Sequence, residues 1–175
     1  MRKNMWNDTD VPLAVFFTFR CFGTWLHGDD RGSVDKRQNV YQTPRIERNS
    51  NWRKHNEENL RHPPVKLDAA RRRSVEKAIR ELCDERGWKL LAINVRTNHV
   101  HVVVSIGNHS ASRARSALKA KATKQLRYEK LWEHDHSPWA EKGSKQNLWS
   151  ETSIWEACNY VNNEQGPDLS DDDGH

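Results

Sequence analysis

The sequence predicts an α+β protein, and two observations lead to this prediction. Apolar periodicity places the elements in the order strand, helix, strand, strand, helix, strand, helix along the chain. Only residues 96–98 separate the second strand from the third, so these two strands form a hairpin. The first six elements therefore make a split βαβ arrangement, which is the ferredoxin-like fold. We expect an antiparallel sheet with two helices on one face and the last helix on the opposite face.

The first strand and the first helix have clear apolar patterns. Residues 13–19 are almost continuously apolar, which is typical of a central strand buried on both faces. The helix begins after Asp68, a residue type that caps helix N-termini, and it ends at Gly87. Residues spaced by three and four positions form its apolar stripe, which consists of Val75, Ala78, Ile79, Leu82 and Cys83.

The two hairpin strands are assigned from the alternation of side chains along a strand. In the third strand, residues 98–104, alternation places His99 and His101 on one face and valines on the other, toward a core. In the second strand, residues 89–95, one face is expected to carry Leu91, Ile93 and Val95.

The second helix is predicted over residues 111–130 and combines a modest apolar stripe with many cations. The stripe consists of Ala111, Ala114, Leu118, Ala122 and Leu126. A crowded basic surface is typical either of a solvated helix face or of a track for a phosphate backbone. The cations on this surface are Arg113, Lys119, Lys121, Lys124 and Arg127.

The last strand and the last helix follow a loop that begins at Trp132. A short strand is predicted at residues 146–149. Ser153 followed by Glu156 fits a capping box, so the third helix is expected to start near Ser153. We expect this helix to end at Gly166-Pro167.

Length and charge limit the classes of protein that this chain can be. At 175 residues we expect one domain, 1–175, with a loop insertion at about 22–67 and a disordered acidic tail at about 168–175. The net charge of +5 suggests a polyanionic partner. Three widely separated cysteines fit a reducing compartment. No segment is long enough to cross a membrane, so we expect a cytoplasmic protein without a membrane partner.

The histidine pair and a tyrosine on the last helix are the candidate functional residues. Two imidazoles two residues apart on a rigid strand can hold a metal ion, and hydrogen-bonded histidines on an open sheet face explain them equally well. Tyr160, with Glu164 one turn later, suggests a nucleophile beside a metal ligand. An interfacial tyrosine with its hydroxyl in water is the commoner arrangement.

Together these pieces resemble a known family. The run Arg96-x-Asn98-His99-Val-His101-Val-Val, the basic second helix and the helical Tyr160-Val-Asn-Asn-Glu-Gln165 are similar to the corresponding parts of HUH single-tyrosine transposases. These include the single-strand insertion-sequence transposases and their REP-associated relatives. The resemblance covers nearly the whole chain.

The resemblance implies a reaction and a set of site residues. Tyr160 would attack a DNA phosphodiester and leave a 5′-phosphotyrosine and a free 3′-hydroxyl. His99 and His101 would hold Mg²⁺ or Mn²⁺, with Glu164 as the third ligand and Gln165 as the alternative. The residues that would contact the DNA are Arg96, Arg113, Lys119, Lys121, Lys124 and Arg127.

The resemblance also implies a partner and leaves two questions open. The substrate would be single-stranded DNA that forms a hairpin, and the protein would be associated with the nucleoid. Transposing members are dimers with exchanged helices, whereas REP-associated members can act as monomers, so a homodimer and a monomer both remain open. The competing function is a catalytically inactive or domesticated DNA-binding regulator of the same fold.

Overall fold

The fold is known from a computed structural model, which describes residues 10–24, 58 and 60–169. One four-stranded antiparallel sheet has the strand order β2-β3-β1-β4. The strands are β1 (Ala14–Cys21), β2 (Lys89–Val95), β3 (His99–Ser105) and β4 (Trp139–Leu148). The helices are α1 (Ala69–Arg86), α2 (Ala111–Tyr128) and α3 (Glu151–Asn163). This topology confirms the ferredoxin-like prediction.

Helices cover both faces of the sheet and bury two separate apolar clusters. On one face, α1 and α2 pack against Phe17, Phe19 and the alternate valines of β3. On the other face, α3 packs against a smaller cluster that includes Val103 and Leu148. Because successive side chains of a strand point to opposite faces, Val100, Val102 and Val104 lie away from α3.

The central position predicted for the first strand is confirmed. β1 pairs with β3 on one side and with β4 on the other. Phe17 and Phe19 are fully buried against the two-helix layer. A strand with neighbours on both edges and helices over both faces needs apolar residues almost throughout, which explains its composition.

The predicted ends of α1 are also confirmed. The side chain of Asp68 accepts a hydrogen bond from the backbone N–H of Arg71 at 2.8 Å, and Gly87 forms the C-cap. α2 ends at Tyr128, two residues before the predicted boundary, and Ser110 caps its N-terminus. Helix ends therefore follow local capping chemistry that is visible in the sequence.

A β-bulge changes the predicted face pattern of β2. Leu90 pairs with Val104 and Ala92 pairs with Val103, so Leu91 is an extra residue without a cross-strand partner. Leu91 consequently packs with the cluster under α3, whereas Ile93 lies on the opposite face. The prediction that Leu91 shares a face with Ile93 and Val95 is wrong because the bulge interrupts the alternation.

The fourth strand is longer than predicted. It spans Trp139–Leu148 instead of residues 146–149. The additional residues are mostly polar and exposed, as is typical of an edge strand with one unpaired side. They carry no apolar alternation that a sequence pattern could detect, and β1 supplies their hydrogen-bonding partners.

The third helix is shifted toward the N-terminus relative to the prediction. Ser150 is the N-cap, and the capping box joins Ser150 to Ser153 rather than Ser153 to Glu156. The helix ends at Asn163, three residues before Gly166-Pro167. Ser150 and Ser153 are both possible N-caps, and the sequence pattern favoured Ser153, whereas the structure uses Ser150.

Two predicted segments lie largely outside the described residues. Most of the insertion at 22–67 and of the acidic tail at 168–175 is not described, so both stay predictions. The described ends of the insertion meet, because the Val65 N–H donates to the Phe22 carbonyl at 2.8 Å. None of the helices in the described part is both long and apolar enough to span a membrane.

Replacing Gly143 by alanine tests the close approach of β1 and β4. A Cβ atom at this position would lie 2.5 Å from the Thr18 carbonyl oxygen and 3.2 Å from the Phe19 Cα atom. Gly143→Ala should lower the free energy of unfolding by about 1–3 kcal/mol because backbone must move to relieve the overlap. Denaturant titration measures this loss. Ser144→Ala, at the exposed neighbouring position, is the control, and equal stability of the two variants would contradict the close approach.

Candidate active site

The two histidines of β3 lie side by side on the sheet face that α3 covers. Their ring centroids are 4.6 Å apart. His101 is almost completely buried, with 3% of its surface exposed, and His99 is half-buried. Strand geometry keeps both rings at fixed positions because β3 is paired on both edges.

Hydrogen bonds orient both imidazole rings through their Nδ1 atoms. His99 Nδ1 lies 2.7 Å from the side-chain oxygen of Asn98, which accepts the ring proton. His101 Nδ1 lies 2.8 Å from the hydroxyl oxygen of Thr18 on β1. Partners at Nδ1 are the usual means by which a protein directs the Nε2 lone pair of a histidine toward a metal ion.

Burial keeps His101 in its neutral form. Desolvation is the main reason why the pKa of His101 falls to about 4, and the positive charges of His99 and Arg96 lower this pKa further. A hydrogen bond with Gln165 acts in the opposite direction. A neutral imidazole offers a lone pair, so His101 is ready to bind a metal ion at neutral pH without first losing a proton.

Tyr160 of α3 lies directly over this histidine. Its ring centroid is 5.6 Å from that of His101 in an edge-to-face arrangement and 6.0 Å from that of Phe16. The side chain is nevertheless 41% exposed. Tyr160 is therefore held against the sheet by two rings while part of it remains open to a large substrate.

A cross-strand contact fixes the last turn of α3 above the histidines. Asn94 on β2 pairs with His101 in the sheet register. Its side-chain amide donates to the carbonyl oxygen of Val161 at 2.9 Å. This bond ties the helix to the strand next to β3, one residue after Tyr160.

The segment after α3 brings Gln165, rather than Glu164, to the histidines. The amide nitrogen of Gln165 donates to the Tyr160 carbonyl at 3.1 Å. Its side chain also hydrogen-bonds with His101, and this bond opposes the lowering of the His101 pKa by burial. Glu164 is exposed, and its carboxylate accepts from the amide of Asn159 at 3.0 Å.

The side chain of Glu164 turns to Asn159, although the helix places this residue one turn beyond Tyr160 as predicted. Glu164 is the C-cap residue, and its backbone N–H still donates to the Tyr160 carbonyl at 3.1 Å. Within the described part of the chain, no three His, Cys, Asp or Glu side chains come close enough together to hold a metal ion. Two imidazoles and the Gln165 amide oxygen form a mixed nitrogen and oxygen donor set, which suits Mn²⁺ and accommodates Mg²⁺.

The cations predicted to contact DNA have different roles in the structure. Lys119 is half-buried, and its ammonium donates to the carbonyl oxygens of Ala140, Glu141 and Lys142 at 2.9–3.3 Å. These carbonyls belong to the bulge where β4 loses register with β1. Burial, with the charges of Arg115 and Arg20, lowers the pKa of Lys119 to about 8. The contacts make Lys119 a support of β4.

The other predicted cations divide into paired and exposed groups. Lys121 forms an ion pair with Glu85 at 2.7 Å, and Arg127 donates to two loop carbonyls. Arg113 and Lys124 are exposed on α2. Arg96 donates to the Pro167 carbonyl at 3.1 Å, next to the histidine hairpin. Among the predicted cations, Arg96 is the one with a hydrogen bond to the histidine strand, through its backbone N–H to the His99 carbonyl.

Comparison with known proteins identifies the family. The sequence profile described as "Transposase IS200 like" matches residues 60–163, which is more than half of the chain. The chain belongs to the IS200-like transposase family. The matched region of this transposase-family chain extends from the segment before α1 to the end of α3, so it includes both histidines and Tyr160.

Two solved structures are similar to this family member, and the first of them supports its fold. A REP-associated tyrosine transposase bound to a REP hairpin superposes with a TM-score of 0.50 at 10% identity, over 92% of this chain and 69% of that one. A candidate transposase of Deinococcus radiodurans has a TM-score of 0.45 at 14% identity, over 95% of this chain and 100% of that one. A search of curated proteins found no match.

Sequence reasoning missed residues whose role depends on contacts between distant segments. Thr18 is the one polar residue in an otherwise apolar run, and this isolated hydroxyl was the available signal. Asn94 gives the same signal within the apolar run of residues 90–95, but its partner in α3 lies 67 positions away in the sequence.

The support role of Lys119 can be separated from DNA contact by measuring stability. Lys119→Met should lower the free energy of unfolding by about 1–2 kcal/mol because the bulge carbonyls lose their donor. Lys124→Met, on the exposed surface of the same helix, should leave stability unchanged. Thermal or denaturant unfolding compares the two variants. A Lys119→Met protein as stable as the Lys124→Met protein would contradict the support role.

Proposed function

We propose that the protein is a metal-dependent single-stranded DNA endonuclease and strand transferase with Tyr160 as its nucleophile. The observation that carries this proposal is the convergence of Tyr160, His101 and Gln165 on one sheet face within one chain. Membership of the IS200-like transposase family supports the same class of reaction.

The covalent step follows from the chemistry of a phenol. The Tyr160 oxygen attacks the phosphorus of a DNA phosphodiester, and a new P–O bond forms as the bond to the 3′-oxygen breaks. The DNA keeps a 5′-phosphotyrosine link to the protein, and the released 3′-hydroxyl carries the proton that the phenol loses. Attack on this link by a different 3′-hydroxyl frees Tyr160 and joins two strands.

The neighbouring residues prepare Tyr160 and the phosphate for this step. A phenol with a pKa of about 10 is a weak nucleophile at neutral pH. A bound Mg²⁺ or Mn²⁺ would stabilise the charge that develops on the attacked phosphate. His99 and His101 would hold this ion through their imidazole nitrogens. We favour Gln165 over Glu164 as the third ligand, because only Gln165 is hydrogen-bonded to His101.

Packing holds the Tyr160 ring against the sheet face. The ring meets those of Phe16 and His101 in edge-to-face arrangements, which limits its rotation. Its exposed side faces solvent, so a DNA strand can reach it without displacing α3. Contact with a histidine of the same chain supports cleavage within one subunit, and a homodimer stays a prediction.

The proposed substrate is single-stranded DNA that forms a hairpin. The REP-associated relative bound to a REP hairpin supports this choice. Arg113 and Lys124 are exposed cations on α2 that remain candidates for contact with the phosphate backbone. The catalytically inactive regulator of the same fold is the competing outcome of the experiment below.

Tyr160→Phe removes only the proposed nucleophilic hydroxyl. With hairpin-containing single-stranded DNA and Mn²⁺ or Mg²⁺, the wild type should form a covalent protein–DNA adduct that survives a denaturing gel. Tyr160→Phe should form none and still bind the DNA. Tyr128→Phe changes an 83% exposed tyrosine on α2 and should keep the adduct.

Two results would decide against parts of this proposal. An adduct of wild-type strength in Tyr160→Phe would contradict the nucleophile. A wild type that binds the DNA without forming an adduct with any substrate and either metal would favour the regulator.

Gln165→Ala and Glu164→Ala form a matched pair that identifies the third ligand. Gln165→Ala should weaken Mn²⁺ binding by about tenfold or more, since even indirect supports of metal ligands have effects of that size. Glu164→Ala should leave Mn²⁺ binding close to that of the wild type. Isothermal titration calorimetry without DNA measures both affinities. The reverse order of effects would assign the ligand to Glu164.

A further inference from the structure

A short connection after α3 carries Gln165 across the end of the histidine hairpin. We refer to residues 165–167 as the strap. At its start, Gln165 is bonded through its side chain to His101 and to the Tyr160 carbonyl. Gly166 has φ +82°, a left-handed conformation that turns the chain sharply. The strap leaves the helix axis here, so helical hydrogen bonds no longer hold Gln165 in place.

Arg96 holds the other end of the strap. Its guanidinium donates to the Pro167 carbonyl at 3.1 Å. The same guanidinium lies beside Gly166, where a Cβ atom would be 3.8 Å from Arg96 Nη2. The Arg96 side chain thus contacts Gly166 and Pro167. It restricts the strap at the end opposite to Gln165.

The backbone of Arg96 links this contact to the histidine strand. Its N–H donates to the His99 carbonyl at 2.8 Å and closes the turn between β2 and β3. Arg96 therefore joins the strand that carries the histidines to the segment that carries Gln165. Arg96 thus adds a third connection between these two parts of the candidate metal site, beside the Asn94 bond to Val161 and the Gln165 bond to Tyr160.

We propose that Arg96 is a positioning residue, which holds the strap so that the Gln165 amide oxygen stays beside His101. This inference rests on the proposed function, in which Gln165 is the third metal ligand. It replaces the sequence-based expectation that Arg96 contacts DNA with a structural role toward the metal site.

The charge of Arg96 allows positioning to be tested by the direction in which metal affinity changes. The positive charge of Arg96 lies on the turn that joins β2 to the histidine strand, so it opposes a cation bound by the histidines. Removing this charge alone would tighten metal binding. Releasing the strap would weaken it. The direction of the change therefore distinguishes positioning from simple proximity.

The test measures Mn²⁺ affinity by calorimetry in the absence of DNA. Arg96→Met removes the donors and the charge and should weaken binding by about tenfold. Arg96→Lys keeps the charge and one donor and should restore part of the lost affinity. In a Gln165→Ala background, Arg96→Met should weaken binding no further, because the residue acts through Gln165.

Several outcomes would overturn the inference. Unchanged or tighter Mn²⁺ binding in Arg96→Met would contradict it. So would a double variant whose loss of Mn²⁺ affinity equals the sum of the losses in Arg96→Met and Gln165→Ala. Weaker DNA binding with a smaller salt dependence and unaltered Mn²⁺ affinity would return Arg96 to the role of a phosphate contact.

The failure of this inference can be told apart from failure of the proposed function. A wild type that binds no Mn²⁺ would remove both. A wild type that binds Mn²⁺ and forms the Tyr160 adduct, together with an unaffected Arg96→Met variant, would remove the role of Arg96 alone. Thermal unfolding of Arg96→Met and Arg96→Lys checks that both remain folded.

Discussion

The pairing of β1 with β3 places Thr18 opposite His101 and Phe16 opposite Val103. Most other features of the site depend on this register. A slip of one residue would turn the histidines toward the two-helix layer and the valines toward α3. The apolar residues of both strands make such a slip costly, because Phe17 and Phe19 would lose their buried positions. The core that stabilises the fold thus also orients the polar face.

Elements defined by apolar periodicity were predictable from the sequence. α1 and α2 each have one buried stripe, and β1 and β3 have buried faces that alternation or continuous apolar character reveals. The full length of β4 was not predicted because an edge strand needs few apolar residues. The bulge at Leu91 was not predicted because it is a property of backbone pairing, and no side-chain pattern marks it.

The candidate site was predictable only where residue type and spacing carry information. His99, His101 and Tyr160 stand out by their chemistry on regular elements. Gln165 could not be ranked above Glu164 because the choice depends on the side-chain contacts that each residue makes near the end of α3. Cations were the hardest group to interpret. Lys119 looks like a phosphate contact in the sequence, yet backbone carbonyls of β4 use its donors.

The apolar cluster beneath α3 is smaller than the one beneath α1, so α3 is packed less extensively against the sheet. Only Ala157 and Val161 of α3 are fully buried, whereas α1 buries a continuous stripe along its length. Lifting α3 from the sheet would expose less apolar surface than lifting α1. Tyr160 and Gln165 would then leave together, while the histidines remain on β3. The candidate nucleophile thus lies on the helix with fewer buried residues, and the histidine pair lies on a strand that is paired along both edges.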